Sequence, residues 1–279
     1  MAAWRLRDRT LTFPPPLAAG IVNVTDDSFY EGARSGTPEQ AIADGLALVE
    51  AGFELLDVGA VAARSGPPVA AGDEAARLVP AVEGLVERAG VPVLADTFSA
   101  EVAGAALDAG AAAINDISGG ADPDLLAAVA GAGAGYVLMH IEGPPREDRL
   151  PPAHDDVVEH LKRWFSERVE AAVAAGVAEE AIALDPGLDF DLSVEDDLEV
   201  LRRLGELRSL GRPLLVALSR KDFLGAVLAG SWDDRPPAAE RGNATLAAAT
   251  LAVAGGAEML RLHDVEALDA VRVAAAVTT

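Results

Sequence analysis

Eight short apolar segments recur along this chain, and helix-like segments separate them. They cover residues 18–25, 54–60, 92–98, 112–119, 135–141, 181–187, 213–219 and 258–264, and each closes on a polar residue or a glycine turn. The runs are nearly continuous rather than alternating, as in parallel strands buried on both faces. Between them, residues 38–52, 100–110, 124–133, 156–176 and 194–207 have helical character, several closing on Gly as helix C-caps do. Eight strand–helix units over about 260 residues predict an α/β fold, a single (β/α)8 TIM barrel. An open doubly wound sheet is the competing architecture, but it usually has fewer strands, and no G-x-G-x-x-G follows the first strand. No low-complexity linker divides the chain, so one domain is expected over residues 1–279, with the barrel proper over 18–279. Residues 9–13, RTLTF, read as a short N-terminal β extension closing the barrel bottom.

Composition narrows the function classes. The formal net charge of −23 argues against a broad nucleic-acid or anionic-membrane surface, which needs clustered positive charge. Cysteine is absent, which removes disulfides, thiolate nucleophiles and Cys-based metal sites. The longest uncharged stretch, Leu125 to Ile141, contains Gly131, Gly133 and Gly135 and reads as helix end, loop and strand rather than a membrane span. No signal peptide is expected from the first residues. These features predict a soluble cytoplasmic protein with small-molecule ligands.

Barrel chemistry is built at the carboxyl ends of the strands. Those ends carry Asn23, Asp57, Asp96, Asn115 with Asp116, His140, Asp185, Ser219 with Arg220 and Lys221, and Arg261 with His263. Any one of them has an ordinary explanation as a cap, turn or packed core group; their coincidence across eight strands points to a site. Asp96, Asn115 and Asp185 supply acceptors and an amide suited to a flat, nitrogen-rich heterocycle. Lys221, Arg261, His263 and Arg64 supply positive charge, suited to phosphate or carboxylate. Asn23 adds a neutral oxygen next to that rim, the sparse protein ligation typical of Mg²⁺ on phosphate oxygens. Together they suggest a heterocycle bearing a diphosphate.

The segments GIVNVTDDSF (20–29), LLDVG (55–59), ADTFSAEV (95–102), INDISGG (114–120), LMH (138–140), LDPG (184–187), LSRKDFLG (218–225) and LRLHDV (260–265) resemble the dihydropteroate synthase family. They occur in the family's order and cover nearly the whole chain. The resemblance implies a folate-biosynthesis transferase. Such an enzyme condenses 6-hydroxymethyl-7,8-dihydropterin diphosphate with para-aminobenzoate, with Mg²⁺, and is a target of sulfonamides. It implies that Asp96, Asn115 and Asp185 hydrogen-bond the pterin ring with Lys221 on the other side. Met139, Ile117 and Phe190 would shape the pocket, Asn23 would ligate Mg²⁺, and Arg261 and His263 would hold the diphosphate. Ser219 and Arg220 would meet the aminobenzoate carboxylate. Thr25, Asp27 and Phe29 would lie on a first mobile loop and Arg64 on a second. A homodimer is expected, as in the family, through the apolar helices at 244–255 and 265–277.

The chain departs from the family pattern at the second loop, where Val61, Ala62 and Ala63 replace Glu, Ser and Thr, while Arg64 stays. Asp189, Phe190 and Asp191 follow the LDPG motif, and the family's basic residue there is gone. Asp222 is expected to pair with Lys221. A second reading therefore stays open, a catalytically altered or inactive pterin-binding paralogue with a changed second-substrate loop. Pterin-dependent methyltransferase barrels share the pocket idea but have no use for the basic runs at 219–221 and 261–263. Asp185→Asn is expected to weaken pterin binding and nearly abolish turnover; calorimetric titration with the pterin and a rate measurement check both.

Overall fold

The computed structural model describes residues 2–24, 35–64, 66–147 and 149–278. Thr25, Asp27 and Phe29 of the expected first loop lie outside the described residues. The chain begins with an antiparallel hairpin, β1 (Ala3–Arg5) and β2 (Thr10–Thr12), with Trp4 opposite Leu11. The expected strand at 9–13 is thus half of a hairpin; its partner is too short to show an alternation.

Eight strands follow: β3 (Leu17–Asn23), β4 (Leu55–Gly59), β5 (Val93–Asp96), β6 (Ala113–Asp116), β7 (Gly135–Met139), β8 (Ile182–Asp185), β9 (Leu215–Ala217) and β10 (Met259–Leu262). All neighbours pair in parallel, in the order β8-β7-β6-β5-β4-β3-β10-β9. A bridge between Leu184 and Leu214 joins the two ends, making a (β/α)8 barrel. The surrounding helices are α1 (Pro38–Ala51), α2 (Ala71–Arg88), α3 (Ala100–Asp108), α4 (Pro123–Ala132), α5 (Val157–Ala174), α6 (Val194–Arg202), α7 (Leu204–Leu207), α8 (Asp222–Ala229), α9 (Gly242–Ala254) and α10 (Glu266–Thr278).

Local chemistry sets the helix ends. Thr37, Ser99, Asp122, Asp156 and Ser193 each accept a backbone N–H at a helix N-terminus, satisfying donors that have no intrahelical partner. The helix expected over 194–207 is broken at Arg203, whose backbone leaves helical values (φ −112°, ψ 17°). Its guanidinium there holds both Asp156 and Glu206.

Strand alternation sorts the side chains into an outer face and stacked interior layers. Val58, Ile114, Leu138, Leu184, Val216 and Leu260 point outward and pack under the helices. Leu55, Leu94, Ala113, Val137, Ala183 and Met259 point inward and meet Trp4, Leu6 and Phe13 of the hairpin in a closed apolar plug. Side chains two residues further along each strand point inward again, one layer higher. Those residues are Asp57, Asp96, Asn115, Met139, Asp185 and Arg261. The apolar floor is therefore made by the same strand phase that makes the charged layer above it. Trp4 is fully buried, and its Nε1–H donates to the Ala181 carbonyl at 2.6 Å. Trp4→Ala is expected to cost about 3–5 kcal/mol in urea denaturation, with the rate per folded molecule unchanged.

Candidate functional site

The upper interior layer brings three carboxylates and two cations together. Arg261 lies at the centre. Its Nε–H donates to Asp57 Oδ2, and its Nη2–H to Asp96 Oδ2 at 2.6 Å. Asn115 Nδ2 donates to Asp57 Oδ2 at 3.1 Å. Asp185 Oδ1 accepts the Gly187 N–H at 2.8 Å; its second oxygen takes no hydrogen bond among the described residues. Lys221 Nζ donates to the Leu188 carbonyl at 2.9 Å and sits 4.3 Å from the Phe190 ring centroid. The facing wall is apolar: Ile117, Met139 and Ile141 are buried together, with Ala63, Phe98 and Phe190 packed against them. One polar wall and one apolar wall suit a flat ring carrying N–H donors on its edge.

Period-two alternation sorts the remaining predicted residues. His263 shares the inward phase of Arg261, and the Ser219 hydroxyl bridges its backbone N–H (3.2 Å) and its Nδ1 (3.0 Å), fixing the ring. Ser219 therefore positions His263. Arg220 has the opposite phase and does not join the cluster. Its guanidinium grips Asp264 at 2.7–3.2 Å and the carbonyls of Ala238 and Ala239 at 2.9 Å. His140 likewise turns outward, toward α5. Asn23 stands at the end of β3, opposite Gly59, and its backbone carbonyl accepts the Ser35 N–H.

Arg64 reaches the site mouth, donating to Asp189 at 2.8 Å and Asp222 at 2.9 Å. The expected pairing of Asp222 with Lys221 does not form. Asp222 instead accepts Arg235 (3.0 Å) and Arg241 (2.7 Å) on Oδ1 and Arg64 on Oδ2. Beside the mouth is a cleft of about 430 Å³ with Ala63, Arg64, Arg146, Arg149 and Phe190 in its wall. A larger cleft, about 560 Å³, lies between Pro14–Pro16 and α10, far from these charges. Asp57, expected at its strand end but given no role by the resemblance, belongs to the site as much as Asp96 does. Matching the strand phases, Leu55 with Leu94 and Asp57 with Asp96, is the signal that finds it.

Burial governs the site's protonation. It pushes Asp96 up to about 7, against Arg261 and with Asp57 adding to the rise. It pushes Asp185 up to about 6, against the Gly187 N–H and Lys221. It lowers Lys221, which Asp189 and Asp185 partly restore. Burial also opposes the charge on Arg261, but Asp57 and Asp96 more than offset it. His263 is driven down to about 3 by burial, then by Arg261, Arg220 and Lys221, so its ring is neutral at pH 7. Asp185 sits above its ordinary value in the fold, so the folded chain loses stability as pH rises from about 4 to about 6. Asp185→Asn keeps the neutral form. It is expected to match the native protein below pH 4 and to gain up to about 3 kcal/mol above pH 6, read from urea midpoints across that range.

The family model described as pterin binding enzyme matches residues 19–263. A Synechocystis dihydropteroate synthase is 38% identical over 272 residues, covering 92% of each chain. The Yersinia pestis dihydropteroate synthase, solved as a sulfonamide drug complex, superposes with a TM-score of 0.92 at 35% identity, covering 99% of this chain and 98% of that one. The Xanthomonas albilineans dihydropteroate synthase in complex with 7,8-dihydropteroate superposes with a TM-score of 0.85 at 39% identity, covering 99% of both. With its ring pocket at the strand tips and these relatives along nearly its full length, the chain belongs to the pterin-binding enzyme family.

Proposed function

We infer that this chain is a dihydropteroate synthase, a transferase of folate biosynthesis. It joins the methylene carbon of 6-hydroxymethyl-7,8-dihydropterin diphosphate to the amine of para-aminobenzoate and releases pyrophosphate. The observation that carries this reading is the polar–apolar slot at the strand tips, Asp57, Asp96, Asn115 and Asp185 facing Ile117 and Met139. The reading of an altered or inactive paralogue is not favoured. The altered second loop holds its place by its own contacts, Ala63 on the Ile117–Met139–Ile141 wall and Arg64 on Asp189 and Asp222.

The residues account for the chemistry in order. Asp96, Asn115 and Asp185 accept the ring N–H groups, and Lys221 donates from the opposite side. The carbon–oxygen bond to the diphosphate breaks early. Arg261 and His263, adjacent inward residues of one strand end, stabilise the negative charge gathering on the leaving group. The three carboxylates stabilise the positive charge left on the pterin methylene. The neutral arylamine attacks, forms the carbon–nitrogen bond and releases its proton. No covalent nucleophile is needed, in keeping with a chain free of cysteine. The cleft beside Phe190, with Arg64 and Arg146 in its wall, is the proposed entry for aminobenzoate and its carboxylate.

Mg²⁺ fits this arrangement. Asn23 offers one hard, neutral oxygen at the end of β3, and the diphosphate and water would supply the rest of the shell. When bound, the ion would withdraw charge from the diphosphate oxygens. Pairing as a homodimer is proposed through α9 and α10, where Leu251, Val273 and Val277 are exposed. No helix among the described residues is long and apolar enough to cross a membrane. Residence in the cytoplasm is proposed on the cysteine-free composition, which suits a reducing compartment.

The purified protein, given the pterin diphosphate, para-aminobenzoate and Mg²⁺, is expected to form 7,8-dihydropteroate well above the enzyme-free rate, as quantified by mass spectrometry. Arg261→Ala is expected to lower kcat by about 10²–10³-fold. Absence of product from folded native protein would overturn the assignment.

A further inference from the structure

Three of the chain's four histidines converge on one carboxylate outside the pterin pocket. Glu142 Oε1 lies 3.1 Å from His140 Nε2, 2.7 Å from His160 Nε2 and 3.6 Å from His154 Nε2. Donor atoms of His140, Glu142 and His160 all lie within 4.8 Å of one another. A tetrahedral Zn²⁺ with bonds of about 2.0–2.1 Å places its ligand atoms roughly 3.3 Å apart, within the range of those three contacts. The rings pack as a group: His154 and His160 have centroids 4.4 Å apart at a tilt of 44°, and His140 meets Trp164 edge-on at 4.9 Å.

The tautomer of His154 points the same way independently. Its Nδ1 lies 3.2 Å from Asp196 Oδ2, an acceptor, so Nδ1 carries the proton. In the neutral ring, Nε2 then presents a lone pair toward the Glu142 oxygen, another acceptor. That nitrogen is buried and has no hydrogen-bond partner among the described residues; neither has His140 Nδ1. The His154 side chain is only 6% exposed. Two lone pairs facing each other there are satisfied by a positive centre between them, a proton or a metal ion. Asp196 behind His154 is the outer partner that orients a metal-binding imidazole.

We propose that His140, Glu142 and His160, with the His154 ring packed beside them, form a site for a divalent transition metal of the Zn²⁺ class, separate from the pterin pocket. Imidazole donors select such a metal over Mg²⁺, whose preference is for oxygen. The site would cross-link the long segment between β7 and α5 at both its ends. His140 and Glu142 leave β7, His154 lies just before α5, and His160 is on the helix. Its role is structural. His140 points away from the barrel interior, so the reaction proposed above does not depend on it, and metal binding is read without any turnover assay.

The test uses full-length, tag-free protein cleared of metal with a chelator. Calorimetric titration with Zn²⁺ is expected to show one equivalent bound, and Co²⁺ to give the visible bands of a tetrahedral site. Zn²⁺ at 100 times its Kd is expected to raise the Tm by on the order of 5 °C. His160→Gln and Glu142→Gln are expected to weaken Zn²⁺ by roughly 100-fold or more, while His263→Gln, which alters the remaining histidine, binds like the native chain. His160 is partly exposed, and circular dichroism checks that both variants fold. Native protein that binds no Zn²⁺ saturably, variants that bind as tightly as native, or Mg²⁺ that displaces Zn²⁺ at comparable concentration would each overturn the proposal.

Discussion

A barrel interior cannot hold Asp57, Asp96 and Asp185 in one layer without a counter-charge, and Arg261 is the group that meets that demand. Its planar fork reaches Asp57 with one nitrogen and Asp96 with another. An ammonium in the same place is a point charge and lacks the fork that holds both. Burial still leaves Asp96 and Asp185 well above their ordinary range. The layer is therefore electrostatically strained, and that strain is relieved by a ligand offering N–H donors and, later, positive charge. What makes the site costly to the fold is what makes it complementary to a cationic pterin methylene.

The apolar floor makes this strain tolerable. Trp4, Leu6 and Phe13 seal the lower end beneath Leu55, Leu94 and Met259, so water does not enter from below and the carboxylates face a single opening. At that opening, Arg64 joins the second loop to Asp189 and Asp222. Asp189 also accepts the backbone N–H groups of Asp222 and Phe223 at the start of α8. The three loops around the mouth thus share one small set of charges. Where the family carries hydroxyls in the second loop, this chain relies on Ala63 packing and on Arg64.

Much of this is legible in the amino-acid sequence alone. Eight apolar runs mark the strands, because strands buried on both faces leave little room for polar residues. Asp96, Asn115 and Asp185 stand out because each closes such a run. What escapes a linear reading depends on phase and on distance. Asp57 stands out at its strand end, but that it shares one charged layer with Asp96 shows only when the strand phases are matched. Arg220 sits between Ser219 and Lys221 in sequence, but alternation turns it outward to Asp264. The partners of Asp222, Arg235 and Arg241, come from a later segment that no local pattern connects to it. The histidines at 140, 154 and 160 are far apart in spacing, and only the return of α5 along β7 gathers them.

That gathering brings the inner and outer faces of the barrel into register at one place. The His140 backbone N–H donates to the Asp185 carbonyl at 2.9 Å, so the pterin carboxylate and the histidine cluster hang from paired strand ends. Gly187 follows immediately, at φ +69°, and a Cβ there would come within 2.1 Å of the His140 carbonyl oxygen. Only glycine fits both the backbone angle and the gap. The Asp185-Pro186-Gly187 turn is therefore a turn and a binding element at once. Its glycine lets β8 close against β7, and its N–H fixes the Asp185 carboxylate.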